Sequence, residues 1–204
     1  MIIPIGIDCT VADFFRKYNL RNIALPFDWN VTYNGVSKCI DNNFKSFTEL
    51  LNDRLNNYDV CFYHDFDNKL SFDEDKQKYI RRCNRLINIL ETSKENIIFC
   101  RKGHSIHHHY EHNGKYCNIK NDIDDVEELN IILSNKYPHL KYKIIVILIC
   151  EKCFNLHKIY KSNSPNIEIY NIVTPQEITT LQKDAENFEN CAREIFRKHI
   201  DDIK

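Results

Sequence analysis

Cys9 is the residue of this sequence best suited to act as a nucleophile. It follows the apolar segment Ile2–Ile7 and stands at the start of a predicted helix over Thr10–Tyr18. Unpaired backbone N–H groups and the helix dipole favour a thiolate at such a position. The same N–H groups could hold an oxyanion, and Gly6 permits a tight turn or a close approach of substrate. The alternative interpretation is a small side chain that fills a corner between a strand and a helix.

His64 is the best candidate for a general base, because it ends a second apolar segment, Asp59–Tyr63. A general base needs a pKa near the working pH and a third group that orients it. The carboxylate of Asp65, Asp28 or Asp8 could orient the imidazole. The alternative is a histidine that caps the strand end through hydrogen bonds to the backbone.

Two polar groups could line a pocket beside these residues. The loop 25–29 holds Asp28 and Trp29, the only tryptophan of the chain, and its mixture of side chains suits a pocket wall. A hydrophobic plug in which Asp28 caps the next turn is an equally good interpretation. Arg82 and Arg85 lie one helical turn apart and could clamp a phosphate or a carboxylate, although a solvated helix face is the alternative.

Histidines and cysteines in the second half of the chain raise the question of a metal. The segment 103–112 is rich in histidine, but its spacing matches no helical zinc site. Cys150 and Cys153 resemble half a zinc site or a redox pair, yet the chain contains no second pair of this spacing. We therefore predict no cofactor and no metal. His104, which directly follows a predicted strand, is an alternative base or a substrate-binding residue.

The elements that must position these residues alternate between strands and helices. The strand segments are short, continuously apolar and rich in Ile and Val, which is typical of parallel strands covered on both faces. They are Ile2–Ile7, Asp59–Tyr63, Asn96–Arg101, Lys143–Ile149 and Asn166–Val173. We predict a single α/β domain over residues 1–204, with a three-layer, mostly parallel sheet of about five strands and helices on both faces, flavodoxin-like or Rossmann-like.

Amphipathic helices are predicted over Phe72–Leu90, over Ile123–Tyr137 and from Thr174 onward. A capping box at Ser71 precedes the first of these. The segment 35–55 is predicted to contain one or two further helices. Because sites in open parallel sheets form at the carboxyl ends of the strands, this arrangement would bring Cys9, His64 and His104 to one edge.

Composition excludes several classes of function. The net charge of -1 and the sequence pI near 6.7 indicate neither a nucleic-acid binder nor a membrane-surface binder. The longest apolar run, Ile144–Cys150, is too short to span a membrane, and no signal peptide is apparent. Most of the nine cysteines lie in apolar patterns and are interpreted as core thiols in a reducing, cytoplasmic compartment. The abundance of Asn, Lys, Ile and Tyr, whose codons are rich in A and T, suggests the AT-rich genome of a large DNA virus or of a microbe. If the source is a virus, the compartment is the host cytoplasm.

Several short motifs resemble a family labelled putative papain-like cysteine peptidase, which occurs in bacteria and large DNA viruses. The resemblance covers the first half of the chain through Arg101 and implies that Cys9 is the nucleophile and His64 its base. It rests on Gly6-x-x-Cys9, Pro26-Phe27-Asp28-Trp29, Phe62-x-His64-Asp65-Phe66, and Tyr79 with Arg82 and Arg85. A papain-like fold has an antiparallel sheet, whereas this chain is predicted to be parallel. The Gly-x-x-Cys turn also resembles the nucleophile turn of flavodoxin-related esterases, whose C-terminal Asp-x-x-His is absent here.

These observations favour a cysteine-dependent hydrolase, peptidase-like or esterase-like, that acts on a peptide, isopeptide or ester bond. The alternative is a non-catalytic binding module that engages a host protein or a glycan, through the same edge or through its amphipathic last helix, and a viral origin would suit this role. A metal-dependent protein that uses the histidine-rich segment is a third hypothesis. The sequence does not indicate an oligomeric state.

Overall fold

The computed structural model describes residues 1–32, 35–52, 54–66, 71–103, 111–112, 115–116, 122–150, 159–162, 164–173 and 181–197. The helices are α1 (Cys9–Lys17), α2 (Val36–Asp41), α3 (Phe72–Thr92), α4 (Asp122–Lys136) and α5 (Leu181–Ile195). The strands are β1 (Ile2–Pro4), β2 (Val31–Thr32), β3 (Leu50–Asn52), β4 (Leu55–Asn56), β5 (Val60–Cys61), β6 (Asn96–Gly103), β7 (Glu111–His112), β8 (Lys115–Tyr116), β9 (Lys141–Cys150), β10 (Ile159–Lys161) and β11 (Ile167–Val173).

The main sheet has the strand order β1-β6-β9-β11-β10. Its first four strands are parallel, and β10 is an antiparallel edge strand, which confirms the predicted α/β class. Backbone hydrogen bonds extend the pairing of β1 and β6 as far as Ile7, whose N–H donates to the carbonyl of Lys102 at 3.0 Å. Pro4, which cannot donate to a ladder, is tolerated because β1 lies at the sheet edge.

The strand order differs from the predicted flavodoxin-like or Rossmann-like arrangement. Sheets of those folds contain a reversal of strand order, whereas the parallel strands here follow the chain in one direction across the sheet. A three-layer arrangement of the flavodoxin-like type is not confirmed. Successive residues of the parallel strands nevertheless point to opposite faces of the sheet and enter two separate apolar clusters. Ile2 and Cys100 pack with α1 and α5, while Ile3 and Phe99 pack with α2, α3 and α4.

A second sheet corrects the prediction for Asp59–Tyr63. This segment forms β5, which lies in an antiparallel sheet of order β2-β5-β4-β3 and not in the parallel sheet. The local sequence does not show whether this segment joins the parallel or the antiparallel sheet, because either sheet can bury a short apolar strand. His64 therefore follows a strand of the second sheet, so the rule for carboxyl ends of parallel strands does not apply to it.

One of the one or two helices predicted within residues 35–55 forms, namely α2. Among the described residues of that segment, α2 is followed by turns and by β3 and β4. Asn43 and Phe44 adopt left-handed backbone angles, with φ of 48° and 57°, which a right-handed helix cannot continue through. Phe44 and Phe47 are three residues apart and both buried, so their spacing imitates a helical pattern.

Helices with a strong apolar period were predicted accurately. Three of the helices, α1, α3 and α4, agree with the predicted bounds to within two residues. The predicted start of the last helix, at Thr174, lies outside the described residues, and α5 covers its later part. Ser71 precedes α3 as predicted, but its side chain makes no capping hydrogen bond. In the described part of the chain, no helix has the length and apolar character needed to cross a membrane.

Candidate functional site

Cys9 begins α1 at the end of the strand extension that runs from β1. The side chain of Asp8 caps the helix by accepting a hydrogen bond from the Thr10 N–H at 2.9 Å. Cys9 is half-buried, in contrast to the fully buried thiols of Cys39, Cys61, Cys83 and Cys100. Cys191 on α5 is the other half-buried cysteine among the described side chains. The predicted nucleophile is therefore accessible.

The surroundings of Cys9 favour the neutral thiol. Burial raises the pKa of Cys9, and the neighbouring carboxylates of Asp8 and Asp13 raise it further. The backbone N–H of Cys9 and the ammonium of Lys102 act in the opposite direction and do not cancel this rise. The direction is opposite to the one expected from the helix N-terminus alone. A base must therefore remove the thiol proton before Cys9 can attack.

Lys102 lies beside this thiol and was missed by the sequence analysis. Its side chain is only 1% exposed, and its Nζ lies 2.8 Å from Oδ2 of Asp8, whose side chain is 24% exposed. Burial alone would raise the pKa of Asp8, but Lys102 and the Thr10 N–H bring it below its usual value. A lysine at the end of an otherwise apolar strand is the signal that could have identified it.

Arg101 forms a second buried charge cluster at the same edge of the sheet. Its guanidinium donates to Asp122 at 2.7 Å and to the carbonyls of Ile5 at 3.0 Å and Thr32 at 3.4 Å. Asp125 lies 3.9 Å from the same guanidinium and accepts a hydrogen bond from the Ser37 hydroxyl at 2.6 Å. These contacts join β1, β2, β6, α2 and α4. Buried ionisable groups of this kind are concentrated at functional sites.

Two glycines allow these charges to approach the backbone. Gly6 has a φ of 102°, and a Cβ there would lie 3.2 Å from both Nη1 of Arg101 and the Thr32 carbonyl. A Cβ on Gly103 would lie 2.5 Å from the Asp122 carboxylate. Side chains at either position would displace the Arg101 cluster. Gly6 was predicted to allow a close approach of substrate, but in the structure it is Arg101 that approaches its backbone.

His64 is exposed in the turn that follows β5, with its ring against Tyr63 at a centroid distance of 6.1 Å. No hydrogen bond joins His64 to Cys9 among the described residues. The residues that shortly precede Cys9 and His64 in the chain nevertheless lie next to each other. Ile7 and Cys61 share one small apolar cluster, and the Thr32 N–H donates to the Ile7 carbonyl at 2.7 Å.

The carboxylates predicted to orient His64 have other partners. Asp65 accepts hydrogen bonds from Lys78 at 2.5 Å and from the Tyr79 hydroxyl at 2.7 Å, both on α3. Asp28 is fully buried, where it pairs with Arg21 and accepts from the Leu25 N–H at 2.6 Å. Neither carboxylate hydrogen-bonds to His64 within the described part of the structure.

The residues predicted to line a pocket contact other parts of the protein. Trp29 is half-buried, and the guanidinium of Arg16 lies 5.2 Å from its ring centroid. Arg82 lies 5.0 Å from the Tyr79 ring, and Arg85 donates to the Ala24 carbonyl at 2.5 Å. Both arginines therefore have contacts within the protein.

The remaining sequence candidates fall where no side chain is described. His104 and Cys153 lie outside the described residues, and the side chain of Cys150 is likewise not described. Within the described ranges, no three His, Cys, Asp or Glu side chains form a group that could hold a metal ion.

Comparison with known proteins gives a family for this chain. No curated protein and no solved structure matches it. The family model described as "Putative papain-like cysteine peptidase (DUF1796)" matches residues 1–152 of the 204. The match extends beyond the first half, in which the resemblance was noted, and includes Asp8, Cys9, His64 and Lys102. The chain therefore belongs to the DUF1796 family, which carries this description.

Proposed function

We propose that this protein is a cysteine-dependent hydrolase, peptidase-like or esterase-like, with Cys9 as nucleophile and His64 as general base. The observation that carries the proposal is the position of Cys9, half-buried at the first turn of α1 beside the Asp8–Lys102 ion pair. The family description supports a cysteine hydrolase in general and names neither the catalytic residues nor the substrate. The two named residues and the choice of bond are our own step.

The proposed reaction is acyl transfer to sulfur followed by hydrolysis. His64 takes the proton of the Cys9 thiol as the sulfur attacks the substrate carbonyl carbon. Backbone N–H groups of the first turn of α1 stabilise the oxyanion. When the carbon–leaving group bond breaks, the imidazolium of His64 protonates the leaving group. Water, deprotonated by His64, then hydrolyses the thioester and restores the thiol.

This reaction requires the exposed imidazole of His64 to come within hydrogen-bond reach of the Cys9 thiol. The shared cluster of Ile7 and Cys61 supports it, because these residues precede Cys9 by two positions and His64 by three. We propose that Asp65 and Asp28 assist as positioning residues that fix neighbouring loops. Trp29, Arg82 and Arg85 would contribute to the substrate side of the same region, together with His104.

The proposal is tested by hydrolysis assays with fluorogenic peptide amides and p-nitrophenyl esters. We expect the Cys9→Ala variant to lose all turnover and His64→Ala to lose about 10²- to 10⁴-fold, the usual contribution of a general base. Cys191→Ala is the matched control, because it removes the other half-buried thiol, and it should retain wild-type rates. Turnover that survives in Cys9→Ala would rule the proposal out.

A non-catalytic binding module is the second candidate. It is favoured by the raised pKa of Cys9 and by the engagement of Asp65 and Asp28 with residues other than His64. In this case the same edge would hold a protein or a glycan, and no variant of Cys9 would change a rate. All six cysteines with described side chains are free thiols, which suits the cytoplasmic location that we propose for either function.

A further inference from the structure

The charges around Cys9 come from its own helix and from one strand, β6. Asp8 and Asp13 belong to α1 and its cap, and Lys102 belongs to β6. Asp13 is half-exposed and already paired with Arg16 at 2.5 Å. Lys102 is almost completely buried and points its Nζ at the Asp8 carboxylate, 2.8 Å away. Asp8 therefore places the strongest charge next to the thiol, and Lys102, whose direct effect on the pKa of Cys9 is the smallest of the three, holds the Asp8 carboxylate.

We infer that Lys102, through its ion pair with Asp8, is a positioning residue that controls how easily the Cys9 thiol becomes a nucleophile. The lysine offsets the negative charge that Asp8 places next to the sulfur. It also fixes the Asp8 carboxylate, which in turn holds the first turn of α1 through the Thr10 N–H. Lys102 would thus act through Asp8 and would not touch the substrate.

Energetic considerations favour a role for this ion pair beyond stability. Removing a lysine from water costs several kcal/mol, and apolar residues of similar volume are often as stabilising as a buried ion pair. The strand could therefore end in an apolar residue without loss of stability. A charged pair retained next to an accessible thiol is more easily explained by its effect on the thiol.

This inference rests on the proposed function only in that it concerns the same thiol. Its test is the alkylation of Cys9 by iodoacetamide, which requires no substrate and no turnover. If the protein hydrolyses nothing, the control of Cys9 reactivity can still be measured. If Lys102 does not influence the reactivity of Cys9, the outcome of the hydrolysis assays with Cys9→Ala is unaffected.

The experiment compares alkylation rates of individual cysteines between pH 6 and pH 10 by mass spectrometry. We expect Asp8→Asn to raise the rate at Cys9 about tenfold at pH 7.5, since an adjacent charge shifts a pKa by at least about one unit. Lys102→Met should lower that rate by a similar factor, and Lys102→Arg should restore it. Asparagine also caps helices, so Asp8→Asn keeps the start of α1. Cys191 in the same molecules is the internal reference.

Opposite directions in the two variants distinguish this inference from a structural role. An ion pair that only holds the fold together would loosen in both variants and expose Cys9 equally, so both rates would rise. That result, or unchanged rates in both, overturns the inference. Because Lys102→Met leaves Asp8 without its partner, the double variant Asp8→Asn/Lys102→Met provides a second measurement. Because Lys102 acts through Asp8, its removal should change little once Asp8 is neutral, so Cys9 of the double variant should react about as fast as in Asp8→Asn.

Discussion

At the scale of single residues, the site is defined by charges that the fold removes from water. Asp8 is the clearest case, because one carboxylate caps α1, pairs with Lys102 and raises the pKa of the next residue, Cys9. Each of these effects follows from its place between a strand end and a helix start. The resting thiol is therefore neutral, and its reactivity depends on proton transfer.

The Asp8–Lys102 pair should make stability depend on pH in the acid range. The pKa of Asp8 is lower in the folded protein than in the unfolded chain, so its contribution is fully present above the unfolded value near 3.8. It is lost as the pH falls through the folded value. We expect Asp8→Asn to lower the free energy of unfolding by about 1–3 kcal/mol at pH 7. In urea titrations the difference from wild type should shrink below pH 4, and a difference that grows there would contradict this assignment.

At the scale of elements, the turn that carries His64 is anchored to α3 by the residues that follow it. Asp65 binds Lys78 and Tyr79, and the Phe66 N–H donates to Asp75 at 2.9 Å. These contacts hold the turn while His64 itself stays exposed. The motif around His64 therefore has one residue available for chemistry and two that fix its position.

A double-mutant cycle tests this division of roles. Asp65→Ala and Tyr79→Phe should show a coupling free energy of about 0.5–3 kcal/mol in urea unfolding, because the two side chains share a hydrogen bond. Asp65→Ala and His64→Ala should be additive within about 0.5 kcal/mol. Coupling between Asp65 and His64 as strong as that between Asp65 and Tyr79 would show that the carboxylate orients the imidazole instead.

Elements that are determined by a local sequence pattern were predictable. Elements that depend on pairing with strands distant in the sequence were not. The apolar period of α3 gave its bounds, and the turn after β1 located Cys9. The sheet to which β5 belongs depends on its pairing with β2 and β4, which no local pattern records. The burial of Lys102 and Arg101 was not predicted, because a cation at a strand end is usually exposed to solvent.

At the scale of the whole molecule, Arg101 joins the two sheets. It bonds to the carbonyl of Ile5 beside β1 and to that of Thr32 in β2, while Asp122 and Asp125 of α4 balance its charge. The second sheet carries the turn of His64, so this junction relates the two proposed catalytic residues. Arg101 thus contributes to the relation between Cys9 and His64, although within the described residues it forms a hydrogen bond with neither.

Removing this junction should destabilise the protein strongly. Arg101→Met leaves the carboxylates of Asp122 and Asp125 buried without their cation, and breaking a buried pair in this way costs about 3–5 kcal/mol. Arg16→Met is the control, because it removes an exposed pair with Asp13 and should cost less than about 1 kcal/mol. Urea unfolding followed by circular dichroism measures both. Equal losses in the two variants would contradict the role of Arg101.

The C-terminal helix packs against the part of the chain that defines the family. Phe188 of α5 and Phe196, which directly follows α5, lie in the same apolar cluster as Phe14 and Phe15 of α1, and Glu189 binds Lys17 at 2.7 Å. The family match ends at residue 152, before α5. This packing supports our proposal that residues 1–204 form a single domain, since α5 covers the helix that Cys9 begins.

The most direct test of the central claim is to identify the cysteine that a peptidyl vinyl sulfone modifies. Mass spectrometry of the digested protein would locate the adduct in wild type and in His64→Ala. We predict that Cys9 carries the adduct, that Cys191 stays unmodified, and that modification of Cys9 slows in the variant. Equal labelling of Cys9 and Cys191, or a rate at Cys9 that ignores the loss of His64, would contradict the account.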